Sequence, residues 1–318
     1  MSVRAIQITE FGGPELLTVS EVPDPVPGDG EVVLDVLAAG VNYADTHQTE
    51  DSYLARQALP LIPGGEAIVR GPDGRRYATM VGSGAYAERV AARPDRLIPL
   101  PDAVGDAAAL GTLVQGSTAY LLLHQAARLV PGESVVVHAG AGGTGSQAIQ
   151  LARRAGAGRI IATASTPEKR AITLDLGADV AVDPASDDLR AALIEANGGA
   201  KVDVVLEMTG GAVFDASLRA VAPLGRLVHF GMAGRAPATP VDPASLMRAG
   251  RTVIGFWLIH VIRRRPDLYT KAIGELLGAL ADGSLRALSG GEYPLDRAAD
   301  AHRALLGRTT TGKLILRP

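Results

Sequence analysis

The run Val135-Val136-Val137-His138-Ala139-Gly140-Ala141-Gly142-Gly143-Thr144-Gly145 constrains the fold of this chain more than any other stretch. A short apolar strand leads into glycines at 140, 142 and 145, and a helical pattern follows through Ala155. The spacing G-x-G-x-x-G is weak alone but specific when it lies between a strand and a helix. One glycine permits the tight turn, the next lets the backbone approach a pyrophosphate, and the third lets helix and strand pack closely. The amides that open the helix then face the anion, and the helix dipole favours its charge. Gly140, Gly142, Gly143, Thr144 and Gly145 are therefore expected to hold a dinucleotide.

The following strand selects which one. Sites for NADH usually carry Asp or Glu at its tip, to accept the ribose hydroxyls. Here the strand over residues 159–164 ends in Ser165-Thr166-Pro167-Glu168-Lys169-Arg170. With no acid at the tip, Ser165 and the cations beginning at Lys169 suit a 2′-phosphate, which a cation pairs with and a carboxylate repels. The expected cofactor is NADPH.

Apolar β-runs at 135–138, 159–164, 180–182, 202–206, 225–230 and 252–256 alternate with helical segments. Such a series predicts a doubly wound parallel sheet covered on both faces. Residues before 110 read instead as short strands and turns: 3–8, 16–22, 31–37, a hairpin over 66–80 and a strand over 84–90. A helix over 106–127 breaks near Gly116, and the chain closes with helices over 268–280 and 298–306 and a strand over 313–316. At 318 residues two domains are expected. The assignment is residues 1–121 for a catalytic domain completed by 262–318, and 122–261 for the dinucleotide-binding Rossmann domain.

Net charge is −3, which predicts no nucleic-acid partner. No run approaches the roughly 18 apolar residues of a membrane span, and no apolar signal region follows Met1. A soluble, cytoplasmic protein is expected. Cysteine is absent, which removes thiolate chemistry and cysteine-ligated zinc. His124, His138, His229, His260 and His302 share no ligand spacing and are read as structural; no metal site is expected. Trp257 is read either as an apolar wall for a planar acceptor or as packing.

Gly132-Glu133, the glycine turn, Gln150 and Arg153 together resemble the signature of the zinc-free quinone oxidoreductases, the zeta-crystallin-like branch of the medium-chain dehydrogenase/reductase superfamily. Shorter matches include Ala39-Gly40-Val41-Asn42-Tyr43-Ala44-Asp45, Gly116-Ser117-Thr118-Ala119-Tyr120 and Thr311-Gly312-Lys313-Leu314. The resemblance implies a β-rich GroES-like catalytic domain into which the Rossmann domain is inserted, and a homodimer joined through the last Rossmann strand. It implies NADPH-dependent hydride transfer to a quinone or related conjugated carbonyl. Enoyl-thioester reduction and a non-catalytic NADPH-binding or structural role are the alternatives.

By the same resemblance, Asn42 and Thr118 lie near the nicotinamide, and Lys169 and Arg308 serve the 2′-phosphate. Phe230, Gly231, Phe256 and Lys313 complete the expected cofactor contacts. Asn42, His47 and Tyr53 are the catalytic candidates. Asn42 would donate to a carbonyl oxygen, and Tyr53 or His47 would deliver a proton, His47 having the more suitable intrinsic pKa. Asp45 is read as a cap. Zinc-dependent relatives carry Gly-His-Glu where this chain has Gly64-Gly65-Glu66, and the segment after Glu66 is shorter than the family norm.

Overall fold

The computed structural model describes residues 2–318, and the chain divides into two compact units. One runs to Val114 and resumes from Glu275 to Pro318; the other spans Gln115–Gly274. These boundaries differ from the expected 121/122 and 261/262. Helical chain passes through both, a π turn over Thr112–Gly116 and a helix over Pro266–Ala281, so no change of hydrophobic period marks either.

In the first unit β1 (Ser2–Ile6) pairs antiparallel with β2 (Val19–Pro23). Then come β3 (Val32–Val41), α1 (Tyr43–Gln48), β4 (Glu66–Arg70), β5 (Arg76–Met80), β6 (Arg89–Ala92), β7 (Ile98–Pro99) and α2 (Asp106–Gly111). β4 and β5 form the expected hairpin around Gly71-Pro72-Asp73-Gly74, with Gly74 at φ +80° where a Cβ is disfavoured. The strand expected over 84–90 starts only at Arg89. Ala85 and Tyr86 are wholly buried there, and their amides reach the carbonyls of Gly64 and Pro63 at 3.1 and 3.0 Å instead of a continuous ladder.

The second unit opens with α3 (Ser117–Leu121), flanked by π turns over Thr112–Gly116 and Leu122–Ala126 where the sequence showed a break. It continues as β8 (Ser134–Val137), α4 (Gly143–Arg154), β9 (Arg159–Thr163), α5 (Pro167–Asp175), β10 (Val180–Val182), α6 (Leu189–Ala196), β11 (Val202–Glu207), α7 (Gly211–Ala220), β12 (Val221–His229), α8 (Pro243–Ala249), β13 (Thr252–Gly255), α9 (Leu258–Arg264) and α10 (Pro266–Ala281). The strand order is β10-β9-β8-β11-β12-β13, and every pair is parallel. The order reverses between β8 and β11, which makes the carboxyl ends of those strands the place for a ligand. Val136, Ile161, Val205 and Leu227 fill the sheet beneath Leu193 of α6 and Phe214 of α7. Burying each such side chain contributes about 1.5–3 kcal/mol.

The chain finishes in the first unit with β14 (Ser289–Pro294), α11 (Ala298–Leu306) and β15 (Lys313–Arg317). The resulting sheet runs β14-β15-β3-β4-β5-β7, with β6 on β3, and the core gathers Ile6, Leu17, Val69, Tyr86 and Leu314. β14 was not expected from sequence, because Ser289-Gly290-Gly291 carries no apolar alternation. Glycine is required at 290, where an added Cβ would collide with the Thr311 carbonyl oxygen. No helix among the described residues is long and apolar enough to cross a membrane.

Candidate functional site

The glycine turn begins where β8 ends. Ala139 sits at φ +50°, a costly conformation for a residue with a side chain. β9 holds it there: Thr163 accepts the Gly140 amide on its carbonyl at 2.8 Å and the Ala139 amide on its hydroxyl at 3.3 Å. A Cβ on Gly145 would lie 2.8 Å from Gly140 Cα, and one on Gly140 would lie 2.9 Å from Thr173 Cγ2 and 3.0 Å from Ala162 Cβ. The protein itself therefore needs those two glycines. A Cβ on Gly142 would meet only the Ala139 carbonyl oxygen, at 3.2 Å. The space beside Gly142 is left for a close-approaching ligand.

Gly142 is also the N-cap of α4, and being glycine it offers the helix no side-chain acceptor. The amides of Gly143, Thr144 and Gly145 open the helix as an anion-binding cradle. A pyrophosphate fits this donor set.

At the end of β9 no carboxylate waits. Ser165 is exposed, and Thr166 caps α5 by accepting the Lys169 amide at 3.3 Å. Burial lowers the pKa of the partly covered Lys169 ammonium, which sharpens its preference for an anionic partner. Arg170, its neighbour, is already engaged: one guanidinium nitrogen reaches the Ala164 carbonyl at 3.0 Å and Asp183 at 2.9 Å.

Thr118 is buried in α3. Phe230 and Gly231 follow β12, and Phe256 follows β13, its amide bonded to the His229 carbonyl at 2.9 Å. Trp257 caps the start of α9, partly buried, with its ring edge-on to His260 at 5.0 Å. A polar row missed in sequence crosses the same strand ends. His138 joins Thr163 Oγ1 at 3.1 Å to Ser217 Oγ at 2.8 Å, and His229 Nδ1 meets the buried Glu207 Oε2 at 2.7 Å. Its members are strand-terminal residues on β8, β9, β11 and β12 and one α7 residue, so no local spacing announced it.

In the first unit, β3 runs into Asn42, which caps α1. The Asn42 amide nitrogen donates to Glu66 Oε1 at 2.7 Å, and its oxygen accepts from Lys313 Nζ at 2.9 Å. Asn42 is thus a buried hub with one amide hydrogen left. Lys313 was expected among the cofactor contacts, but its ammonium is directed to Val41 O, Asn42 Oδ1 and Glu66 Oε1, partners for all three of its hydrogens. Asp45 caps as expected, accepting the Asn42 backbone amide at 2.8 Å; it also accepts from Tyr86 at 3.0 Å. Burial pushes the Asp45 carboxyl up to about 6.

His47 is buried, with Nδ1 2.8 Å from Ser52 Oγ. Its ring stacks on Tyr53 at 5.4 Å and meets the edge of Tyr43 at 5.7 Å. The two proton-donor candidates are therefore neighbours. Burial, then the nearby Asp45 carboxylate, raises the Tyr53 phenol above its ordinary pKa. Arg308, exposed at the end of α11, sits at φ +54°.

A six-stranded parallel sheet in this order, with a glycine cradle at its switch point, defines a dinucleotide-binding protein of the doubly wound class. Residues 143–276 match the family model described as zinc-binding dehydrogenase. A quinone oxidoreductase of Pseudomonas aeruginosa is 32% identical, the match covering 99% of each chain. The structure of the quinone oxidoreductase from Thermus thermophilus, also solved with NADPH, is 41% identical, with a TM-score of 0.86 over 99% of this chain and 100% of that one. The Escherichia coli quinone oxidoreductase in complex with NADPH is 30% identical, with a TM-score of 0.91 over 99% of this chain and 100% of that one. The chain belongs to the quinone oxidoreductase family of the medium-chain dehydrogenase/reductase superfamily.

Proposed function

We propose that this chain is an NADPH-dependent reductase of quinones and related conjugated carbonyls that works without a metal. The observation that carries the reading is the uncapped start of α4 behind Gly142, followed at the next strand by a tip with Ser165 and Lys169 and no acid. The amides of residues 143–145 hold the pyrophosphate, and Ser165 and Lys169 take the 2′-phosphate. When bound, NADPH supplies the hydride.

Hydride addition to a quinone leaves an oxyanion that a proton must neutralise. His47 is the better donor of the two candidates, because the raised pKa of Tyr53 makes its phenol hold the proton more firmly. Ser52 fixes the ring on its Nδ1 side. The Glu66–Asn42–Lys313 contacts hold the start of α1, and with it His47, in one place.

The metal-free reading is supported by the side chains available. The chain contains no cysteine, Gly65 stands where relatives place histidine, and among the described residues no three His, Cys, Asp or Glu side chains gather as ligands. A homodimer is supported by the place of β13 at the edge of the sheet, where no further strand pairs with it among the described residues.

The test is NADPH oxidation, followed by absorbance, against quinones, enones and enoyl thioesters, with and without a chelator. Turnover of quinones that survives the chelator is expected. Tight NADPH binding with no turnover of any acceptor overturns the enzymatic reading. Preference for enoyl thioesters overturns the substrate class.

A further inference from the structure

His229 ends β12 at the carboxyl edge of the parallel sheet. Its Nδ1 is 2.7 Å from Glu207 Oε2, at the end of the neighbouring strand. Glu207 is fully buried; its other oxygen accepts the amide of Gly210 at 2.9 Å and that of Thr209. Burial opposes the charge of this carboxyl, but the His229 hydrogen bond and the two amides outweigh it and hold the pKa below the usual carboxylate range. A carboxylate so held takes the Nδ1 hydrogen and turns the second ring nitrogen, Nε2, away from itself. About one third of the His229 side chain is exposed, 33%, and Nε2 has no protein partner among the described residues.

The topology says what lies beside it. In the order β10-β9-β8-β11-β12-β13 the cradle after β8 takes the pyrophosphate at the switch point, and the β9 tip takes the adenosine ribose. The ends of β11 and β12, on the other side of the switch, are left for the nicotinamide half. We propose that His229 is a cofactor-contacting residue on that half, and that its charge sets the relative affinity for NADPH and NADP+. This rests on the NADPH reading above.

The two cofactor forms differ by one positive charge on the nicotinamide ring. With neutral His229, the Glu207–His229 pair carries −1 and favours the oxidised ring; with protonated His229 the pair is neutral and that preference is lost. The groups around His229 leave the assignment to it. Phe214 of α7 presents only a ring edge at 5.3 Å, and β13 faces it with Gly255. His138, which acts on Glu207 from β8, has its pKa lowered by burial to about 4 and stays neutral across the range of interest. The 2′-phosphate is common to both forms, so its own titration cancels in their ratio.

The experiment measures dissociation constants of NADPH and NADP+ for the full chain from about pH 5.5 to about pH 8.5. The expected result is that NADP+ gains on NADPH by about 3- to 10-fold as pH rises, and that His229→Gln and His229→Asn abolish the trend. A pH-independent ratio in the unmodified chain overturns the inference, as does a trend that survives in either variant. A histidine that only satisfied Glu207 would change stability and leave the ratio alone. Failure to bind either nucleotide at any pH overturns the proposed cofactor and the inference with it, whereas binding with a flat ratio overturns the inference alone.

Discussion

The Lys313 ammonium and the Glu66 carboxylate meet inside the first unit with side chains 1% and 0% exposed, an ion pair shut off from water. β15 supplies the lysine and β4 the acid, on either side of β3. The pair is closed by Asn42 and by the Val41 carbonyl, while Glu66 Oε2 has no partner among the described residues. Removing one partner of such a pair strands a buried charge and costs about 3–5 kcal/mol. Lys313→Met is expected to destabilise the chain by that amount in urea unfolding. Adding Glu66→Gln to it should recover part of the loss, and a double variant no better than the single would show that the charge is not the cause.

The glycine turn separates two demands that the motif alone does not. Gly145→Ala drives a Cβ into backbone at Ala139 and Gly140, so it should lower the melting temperature as well as NADPH affinity. Gly142→Ala meets one carbonyl oxygen at 3.2 Å and should leave melting within a few degrees, while weakening NADPH about 10-fold or more. Calorimetry with and without NADPH distinguishes them; equal affinity of Gly142→Ala and the unmodified chain would contradict the role given to Gly142.

What was legible in sequence was local. Strand, glycine spacing and helix lie within about two dozen residues, and each signals itself by period or by the lack of a Cβ. The six-membered series of β-runs likewise gave the parallel sheet. The buried network was not legible, because Asn42, Glu66, Tyr86, His302 and Lys313 come from segments up to 271 residues apart and meet only once the sheet register is set. The Glu207–His229 pair fails for the same reason: its partners are 22 residues apart and face each other only because β11 and β12 are parallel and in that register. Tyr86 misled in the other direction, since alternation around it resembles a strand while its hydroxyl is the feature that matters.

Buried titratable groups predict where acid acts first. His138 in the second unit and His302 in the first are both lowered by burial from 6.5 to about 4. Each contributes stability that is present above 6.5 and lost as pH falls toward 4, on the order of 3 kcal/mol at completion. Asp45, raised from 3.8 to about 6, has the opposite sign: its contribution is lost as pH rises through 6 and regained on acidification. In the first unit the two changes oppose each other. In the second, His138 has no such counterweight, and Glu207, lowered below 4.5, adds to the loss at still lower pH. Hydrogen exchange corrected for intrinsic rates should accelerate more at Val136 and Val205 than at Val41 and Leu314 between about pH 7 and pH 5. Uniform acceleration across both units would refute this distribution.

Lys169 and Arg170 are adjacent cations on the first turns of α5, and the proposed cofactor site gives them different work. Arg170 bridges the Ala164 carbonyl and Asp183, which ties α5 to the end of β10. Its replacement by alanine should lower stability, by about 1–2 kcal/mol for a partly exposed charge-assisted contact, and leave cofactor choice unchanged. Lys169 has its charge partly desolvated, the condition under which a phosphate pairs best. Lys169→Ala should weaken NADPH by about 10- to 100-fold and leave NADH nearly unchanged, because NADH has no 2′-phosphate for the ammonium to meet. Titrating both variants with both nucleotides separates the roles. A loss of NADPH preference in Arg170→Ala, or its retention in Lys169→Ala, would reverse the assignment between these two neighbours.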